Sequence, residues 1–574
     1  MTPPSFLSAA ARQSDCKHSG QASRATGMVL EVGAAPGMRN MRRLPARPRR
    51  RAGSMQLSEF QNEPLTDFSA TENRAAMETA LEKVRAQLGR EYPLLIGGQR
   101  VSTENKIRSI NPAHPEQIVG VHAAADVELA RRSIAAANDY FRCWSAQPVE
   151  QRARVLLETA RIFRRRRHEF SAWMIYEVGK PWAEADADVA EAIDFCEFYA
   201  REALRLSGPQ PLTPVPGERN ELRYLPLGAG VVIPPWNFPL AIATGMTTAA
   251  LVSGNTVVLK PSSDSPTIAA HLVEALLEAG CPPEAISLVT GSGSSIGDAL
   301  VEHPLTRFVA FTGSKQVGLH INELAAKTQP GQRWIKRVVA EMGGKDAIVV
   351  DADCDLDKAV AGVLVSAFGY QGQKCSACSR AIVVDAVYDK FLERLVERTR
   401  QITVGPPEDP RNYMGPVINE RALRSILDYI ETGRREGQLL TGGRRAPGHG
   451  YFLEPTLIAD VEPRARIFRE EIFGPVLAVT RARDFDQALE MANDSEYGLT
   501  GAVYTRDREK LKKAAESFYV GNLYLNRKCT GALVGGHPFG GFNMSGTDSK
   551  AGGRDYLLLF MQAKVISEKI EDGG

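Results

Sequence analysis

The chain has 574 residues, 43% hydrophobic and 24% charged, values that fit a globular protein of about two or three domains and exclude a wholly disordered or coiled-coil one. The formal charge of +2 is unevenly spread: residues 1–54 are rich in arginine with only Asp15 and Glu31 acidic, so the remainder is acidic on balance and has no general attraction to nucleic acid. Eight cysteines, at positions 16, 143, 196, 281, 354, 375, 378 and 529, lack the spacing of a disulfide framework and point to a reducing, cytoplasmic setting.

The first 54 residues combine Pro, Gly, Ser, Ala and Arg with little apolar periodicity, which predicts a disordered basic extension. Met55 leads directly into globular sequence, so we read it as the native start and the extension as a start assigned too early; an organelle presequence and a nucleic-acid tail are the rival readings. Apolar residues at helical spacing predict a helix over 73–88, and residues 93–99 read as a strand entering a tight turn. Helices follow over 126–137, with Asp126 as its acidic N-cap, 149–168 and 182–206. The basic block Arg164 to Arg167 reads as a solvated helix end. Residues 209–225 alternate polar and apolar about Gly217 and predict an exposed two-stranded ribbon, which needs a partner surface.

From Gly228 short apolar strands, over 230–233, 256–261, 286–289 and 308–313, alternate with helices over 240–252, 267–279 and 296–303. That order predicts a parallel sheet covered on both faces, with ligands at the C-terminal strand ends where Lys260 and Ser314 fall. The uncharged run 224–259 is broken by Pro234, Pro235 and Pro239, and its apolar helical part is too short for a membrane span. Two glycine clusters are candidate phosphate cradles. Residues 291–297 depart from the G-x-G-x-x-G fingerprint by one residue, whereas 311–318 follow a strand and open a helix; each reads equally well as a plain strand-to-helix turn. After Gly343 a second β/α region begins, with strands over 346–350 and 380–384, another following 470–476, and helices over 356–368 and 388–404. An apolar strand is expected over 556–561.

The chemistry centres on Gly372-Gln373-Lys374-Cys375-Ser376. A cysteine beside a lysine, entered through glycines, suits an exposed nucleophile, although Cys375 read alone is as readily a small buried hydrophobe. Its C-x-x-C partner Cys378 raises the thought of a redox dithiol or half a zinc site, but no second pair completes four ligands, and no metal is expected. Glu341 and Asn237 supply a base and an amide donor, the groups that thioester chemistry requires; their plain readings are a carboxylate paired with Lys345 and a helix-capping turn residue.

Seven stretches occur in the order seen in the aldehyde dehydrogenase superfamily: Pro235-Trp236-Asn237, Lys260-Pro261-Ser262, Phe311-Thr312-Gly313-Ser314, 341–345, 372–375, 471–475 and 538–541. Within it, 372–377, 530–535 and 545–553 resemble the 1-pyrroline-5-carboxylate dehydrogenases, also called L-glutamate γ-semialdehyde dehydrogenases. The resemblance runs from Met55 to the C-terminus. It implies an α/β fold with a Rossmann-like NAD(P)-binding domain (55–207 and 227–342), an α/β catalytic domain (343–536) and a small protruding β oligomerisation element (208–226 and 548–566). Cys375 would attack the aldehyde, with the Asn237 amide and the Cys375 backbone N–H holding the oxyanion and Glu341 activating water. Lys260 would bond the adenosine ribose, Ser314 the pyrophosphate and Glu471 the nicotinamide ribose, with Ser263, Gly313 and Phe473 also at the cofactor. Ser263 stands where NAD-preferring members often carry an acid, so NAD with tolerance of NADP is implied. Ser376, Gly531 and Ala532 would anchor the substrate α-carboxylate, Phe238 and Phe539 would wall its stem, and Glu191 would meet its ammonium. The implied partners are a small aldehyde and a further copy of the chain, with neither nucleic acid nor membrane. The rivals are a dehydrogenase for another semialdehyde such as succinate semialdehyde, a cysteine acyltransferase or esterase without nicotinamide, and a nucleic-acid binder acting through the basic extension.

Overall fold

Strands Ala229–Ile233, Thr256–Leu259, Ile286–Leu288 and Phe308–Thr312 are buried at nearly every position, as expected of strands covered on both faces. The computed structural model of the chain describes residues 57–570; the extension 1–54 and the reading of its start lie outside them. The elements all fall within the unit that begins at Glu59. Arg337–Glu341 adds to one edge and the hairpin Leu94–Ile96/Gln99–Val101 to the other, giving a seven-stranded sheet that is parallel except for that hairpin. Register brings Val232 beside Leu259, Phe311 beside Ile233 and Thr312 beside Glu341. The strand ends preceding Asn237, Lys260, Gly313 and Met342 therefore form one edge.

A second seven-stranded sheet runs in the spatial order Gln438–Thr441, Thr456–Ala459, Val476–Ala482, Cys378–Val384, Asp346–Val350, Thr500–Tyr504, Asn522–Leu525, parallel except for its first strand. Asp346–Val350 shows why: Ala347 and Val349 enter one hydrophobic cluster while Ile348 and Val350 enter another, the period-two alternation of a strand buried on both faces. The Cys375 loop feeds the N-terminal end of Cys378–Val384. Around the first sheet, Trp182–Ser207 and the almost wholly buried helix Ala241–Val252 belong to the largest core cluster.

Four expectations are corrected. Residues 209–217 form no strand, because Pro209, Pro211, Pro214 and Pro216 cannot donate to a ladder. Glu218–Pro226 instead pairs antiparallel along its length with Met561–Lys569, so the ribbon is closed by the C-terminal tail and not by a local turn at Gly217. The strand expected over 556–561 is a 3-10 turn, Tyr556–Phe560, whose Tyr556, Leu557 and Phe560 are buried at helical spacing. The helix expected over 149–168 breaks at Arg166, and Arg167–Val178 follows as a separate helix. The uncharged run 224–259 resolves into strand, turn, helix and strand, and among the described residues no helix is long and apolar enough to cross a membrane.

Candidate active site

Helix Leu356–Phe368 ends in a tight turn in which Tyr370 and Gln371 take positive φ, 50° and 56°, a conformation that costs L-residues on the order of 1 kcal/mol each. Buried hydrogen bonds hold it. Tyr370 Oη donates to Val178 O at 3.0 Å, and Gln371 Nε2 donates to Gly179 O at 3.1 Å and Pro416 O at 2.9 Å. The turn delivers Cys375, half-buried and unbridged, to the junction of two cavities that both touch it. Burial pushes its thiol well above the usual range, reinforced by the charges of Asp346, Glu471 and Glu341. The expected help from Lys374 is absent, because its Nζ is committed to Glu184 at 2.6 Å. The resting sulfur is thus a thiol, and the nucleophile exists once its proton has been removed. Cys378 turns into the core with its Sγ on Arg380 O at 3.4 Å, which answers the dithiol reading.

Asn237 is buried on the segment after Ala229–Ile233, and its Nδ2 donates to Gln373 O at 3.1 Å, two residues from the sulfur. One amide hydrogen is so fixed and the other remains for an oxyanion. Glu341 ends its strand facing the pocket lined by Cys375. Burial pushes its carboxyl up to about 7, against the lowering pull of the Ser549 hydroxyl and the Lys550 charge. It is not the partner of Lys345, whose buried Nζ has no hydrogen-bond partner among the described residues; Oε1 of Glu341 accepts from Ser549 Oγ.

The larger cavity, a cleft of about 1820 Å³, is lined by Lys260, Ser263, Gly313, Ser314, Glu471 and Phe473, all six residues expected to meet a nucleotide. Burial pushes the Lys260 ammonium down to about 8, and its hydrogen bond to Pro261 O at 3.3 Å leaves donors for ribose hydroxyls. Ser314 caps helix Lys315–Ala326, so that helix N-terminus faces the cleft with its amides and positive dipole end. Glu471 accepts from Gly344 N at 3.2 Å with one oxygen and keeps the other, while Phe473 stands edge-on to Trp236 at 5.5 Å between centroids. These groups fit a dinucleotide: donors and acceptors for two riboses, and a helix end for the pyrophosphate.

The smaller pocket, about 840 Å³, is lined by Ser376, Gly531, Ala532, Phe238 and Phe539, the five expected substrate residues, and by Glu191. Burial, with Asp188 adding, pushes the Glu191 carboxyl up to about 8, so an arriving ammonium would be needed to hold it ionised near neutrality. Ser292, Gly293 and Ser294 line the larger cleft beside Gly313 and Ser314, so both candidate glycine clusters border one cavity. Other contributors escaped sequence reasoning. Asn419 and Arg421 reach the cleft from a stretch in which no element was expected, and Asn419 Nδ2 donates to Asp264 Oδ1 at 3.0 Å. Buried Lys180 sits 3.9 Å from the Phe238 ring centroid and pairs with Asp188 at 2.8 Å, stiffening the substrate wall. No local signal marks these; they converge only through the packing of distant segments.

Residues 100–566 match the aldehyde dehydrogenase family. A 1-pyrroline-5-carboxylate dehydrogenase of Geobacillus thermodenitrificans (strain NG80-2) is 58% identical over 509 residues, covering 89% of this chain and 99% of that protein. One of Bacillus subtilis (strain 168) is 55% identical over 509 residues, with the same 89% and 99% coverage. The crystal structure of 1-pyrroline-5-carboxylate dehydrogenase from Thermus with bound NAD superposes with a TM-score of 0.88 at 51% identity, covering 90% of this chain and all of that one, 100%.

Proposed function

The chain belongs to the aldehyde dehydrogenase family, and from that premise we propose that it is an NAD-dependent dehydrogenase that converts L-glutamate γ-semialdehyde, the open form of 1-pyrroline-5-carboxylate, into L-glutamate in proline degradation. The observation that carries this reading is the position of Cys375 where a nucleotide-shaped cleft meets a pocket lined by Ser376, Gly531 and Ala532. Main-chain amides beside small residues suit a carboxylate, which a plain aldehyde lacks. Relatives named for this activity at 55–58% identity support the same substrate.

Cys375 Sγ gives its proton to solvent water and forms a C–S bond to the aldehyde carbon, and the carbonyl oxygen becomes an oxyanion within reach of the Asn237 amide. NAD, when bound, would supply the acceptor for the hydride that leaves that carbon. The C=O then re-forms as a thioester on Cys375. Glu341 takes a proton from water, the resulting hydroxide adds to the thioester carbon, and the C–S bond breaks to give the γ-carboxylate and a thiol. Lys260, Ser314 and Glu471 would hold the cofactor, with Ser263 and Arg421 at a cleft wall able to accept a 2′-phosphate, so NADP is used as well. Glu191 neutralises the substrate ammonium. The ribbon of Glu218–Pro226 and Met561–Lys569 leaves Val565 63% exposed and would dock on a second copy, giving a homo-oligomer. The free cysteines among the described residues favour a cytoplasmic setting.

The test is reduced-cofactor formation from 1-pyrroline-5-carboxylate, run beside succinate semialdehyde and the Cys375→Ala variant. The reading expects turnover with the first substrate, a far lower kcat/KM with the second, and none for the variant. Preference for succinate semialdehyde would replace the substrate assignment, and activity of Cys375→Ala would remove the mechanism.

A further inference from the structure

The segment from Ser545 to Gly553 carries no step of the mechanism above, yet it is laced to the strand end that bears Glu341. Met342 N donates to Ser545 O at 2.8 Å and Thr547 N to Ala340 O at 2.9 Å, Ala340 N donates to Thr547 Oγ1 at 3.1 Å, and Glu341 bridges Gly546 in antiparallel fashion. The segment thus acts as a short extra strand whose register fixes what lies opposite the carboxylate. Ser549 lies there, 5% exposed, and its hydroxyl donates to Glu341 Oε1. Oε2 is buried without a hydrogen-bond partner among the described residues. The niche is walled by glycine: a Cβ at Gly540 would lie 3.0 Å from Oε1, and one at Gly546 would lie 3.4 Å from Oε2 and 2.6 Å from Ala340 O. Lys550, the cation nearest on the segment, donates to the carbonyls of Gly521 and Gly540 at 2.8 and 2.9 Å and pairs with Asp548 at 3.1 Å. The two carboxylate oxygens are therefore unequal, one anchored and one bare.

We propose that Ser549 is a positioning residue for thioester hydrolysis: its hydroxyl anchors Oε1 of Glu341 in the glycine-walled niche and leaves Oε2 as the oxygen that takes the proton from water. The proposal rests on Glu341 being the hydrolytic base. The step balances within the reaction proposed above, since the water proton passes to Oε2, hydroxide adds to the acyl carbon and the C–S bond breaks. Besides Ser549, the titratable groups facing Glu341 are Lys550, Cys375 and Tyr556. The hydroxyl, with the backbone amides of Ser549 and Gly541, lowers the proton affinity that burial raises, so loss of the hydroxyl alone shifts the carboxyl further up.

The experiment follows acylation by single-turnover cofactor reduction and deacylation by loss of the Cys375 adduct in intact-mass spectra. It uses the full chain and the variants Ser549→Ala, Ser549→Thr and Glu341→Gln across pH. Ser549→Ala is expected to acylate within roughly twofold of the parent and to deacylate on the order of tenfold more slowly at neutral pH, the loss of one hydrogen bond to a charged group. Its rate recovers at alkaline pH, and Ser549→Thr restores the parent profile. Parent-like deacylation and pH dependence in Ser549→Ala, while Glu341→Gln accumulates acyl-enzyme, overturns the role of Ser549 alone. Normal deacylation by Glu341→Gln overturns the base assignment and this proposal with it. If Ser549→Ala does not fold, Ser549→Cys, a poorer donor of similar size, carries the same readout.

Discussion

Replacing Gly344 by alanine tests how rigidly the nucleophile is placed. The added methyl carbon would lie 2.4 Å from the Cys375 carbonyl oxygen and 2.4 Å from Asp346 Oδ2, where ordinary contact begins at 3.4 Å, so both contacts must open by about 1 Å. Asp346 has little freedom, being 2% exposed with its Oδ1 held by Thr500 N at 2.6 Å. The displacement therefore falls on the Cys375 loop, whose turn is already held at positive φ by buried hydrogen bonds. A reacting atom misplaced by about 1 Å costs on the order of 10²-fold in rate, whereas such overpacking costs about 1–3 kcal/mol of stability. Gly344→Ala should thus fold, unfold cooperatively a few degrees lower, bind NAD and lose kcat about a hundredfold. Steady-state kinetics, calorimetry and the rate of Cys375 alkylation by iodoacetamide measure the three consequences. A folded variant with kcat and alkylation rate within about threefold of the parent would refute the claim that this backbone contact sets the sulfur's position.

Asn237→Ala removes one oxyanion donor and should lower kcat by about 10²–10³, with little change in the KM for NAD, in steady-state assays. Glu341 with its carboxyl at about 7 is protonated, and so idle as a base, below that pH; decay of the acyl-enzyme should slow about tenfold per pH unit on the acid side and level off above neutrality. Acyl decay followed by quench and mass spectrometry checks this, and a flat profile contradicts it. Ser263→Glu places a negative charge in the nucleotide cleft and should cut kcat/KM for NADP at least about tenfold while leaving NAD nearly unchanged, as measured with both cofactors side by side.

What could be read in advance followed from short-range physics. Apolar runs such as Val231-Val232 and Val257-Val258 announce strands buried on both faces, and the residues just after them, Lys260 and Ser314, fall at the cleft because parallel strands share a C-terminal edge. The five residues expected around the substrate came instead from the family resemblance, and the structure gathers them around one pocket. The ribbon was misread because its partner, Met561–Lys569, is more than three hundred residues distant, and alternation alone does not say which strand it pairs with. Lys374 misled for a related reason: adjacency to Cys375 in sequence suggested a thiolate partner, whereas Glu184 captures its ammonium across the fold. Arg421, Lys180 and Ser549 had no local signature: Arg421 lines the cleft, Lys180 lies against Phe238 and Ser549 bonds Glu341 only because distant segments pack together.

Intact-mass and peptide-level spectrometry of protein quenched during turnover of 1-pyrroline-5-carboxylate with NAD tests the account most directly. It predicts a single glutamyl group on Cys375, enriched in Glu341→Gln and absent when NAD is withheld. Turnover at the parental rate with no acyl group ever detected on that sulfur, in either protein, would contradict it.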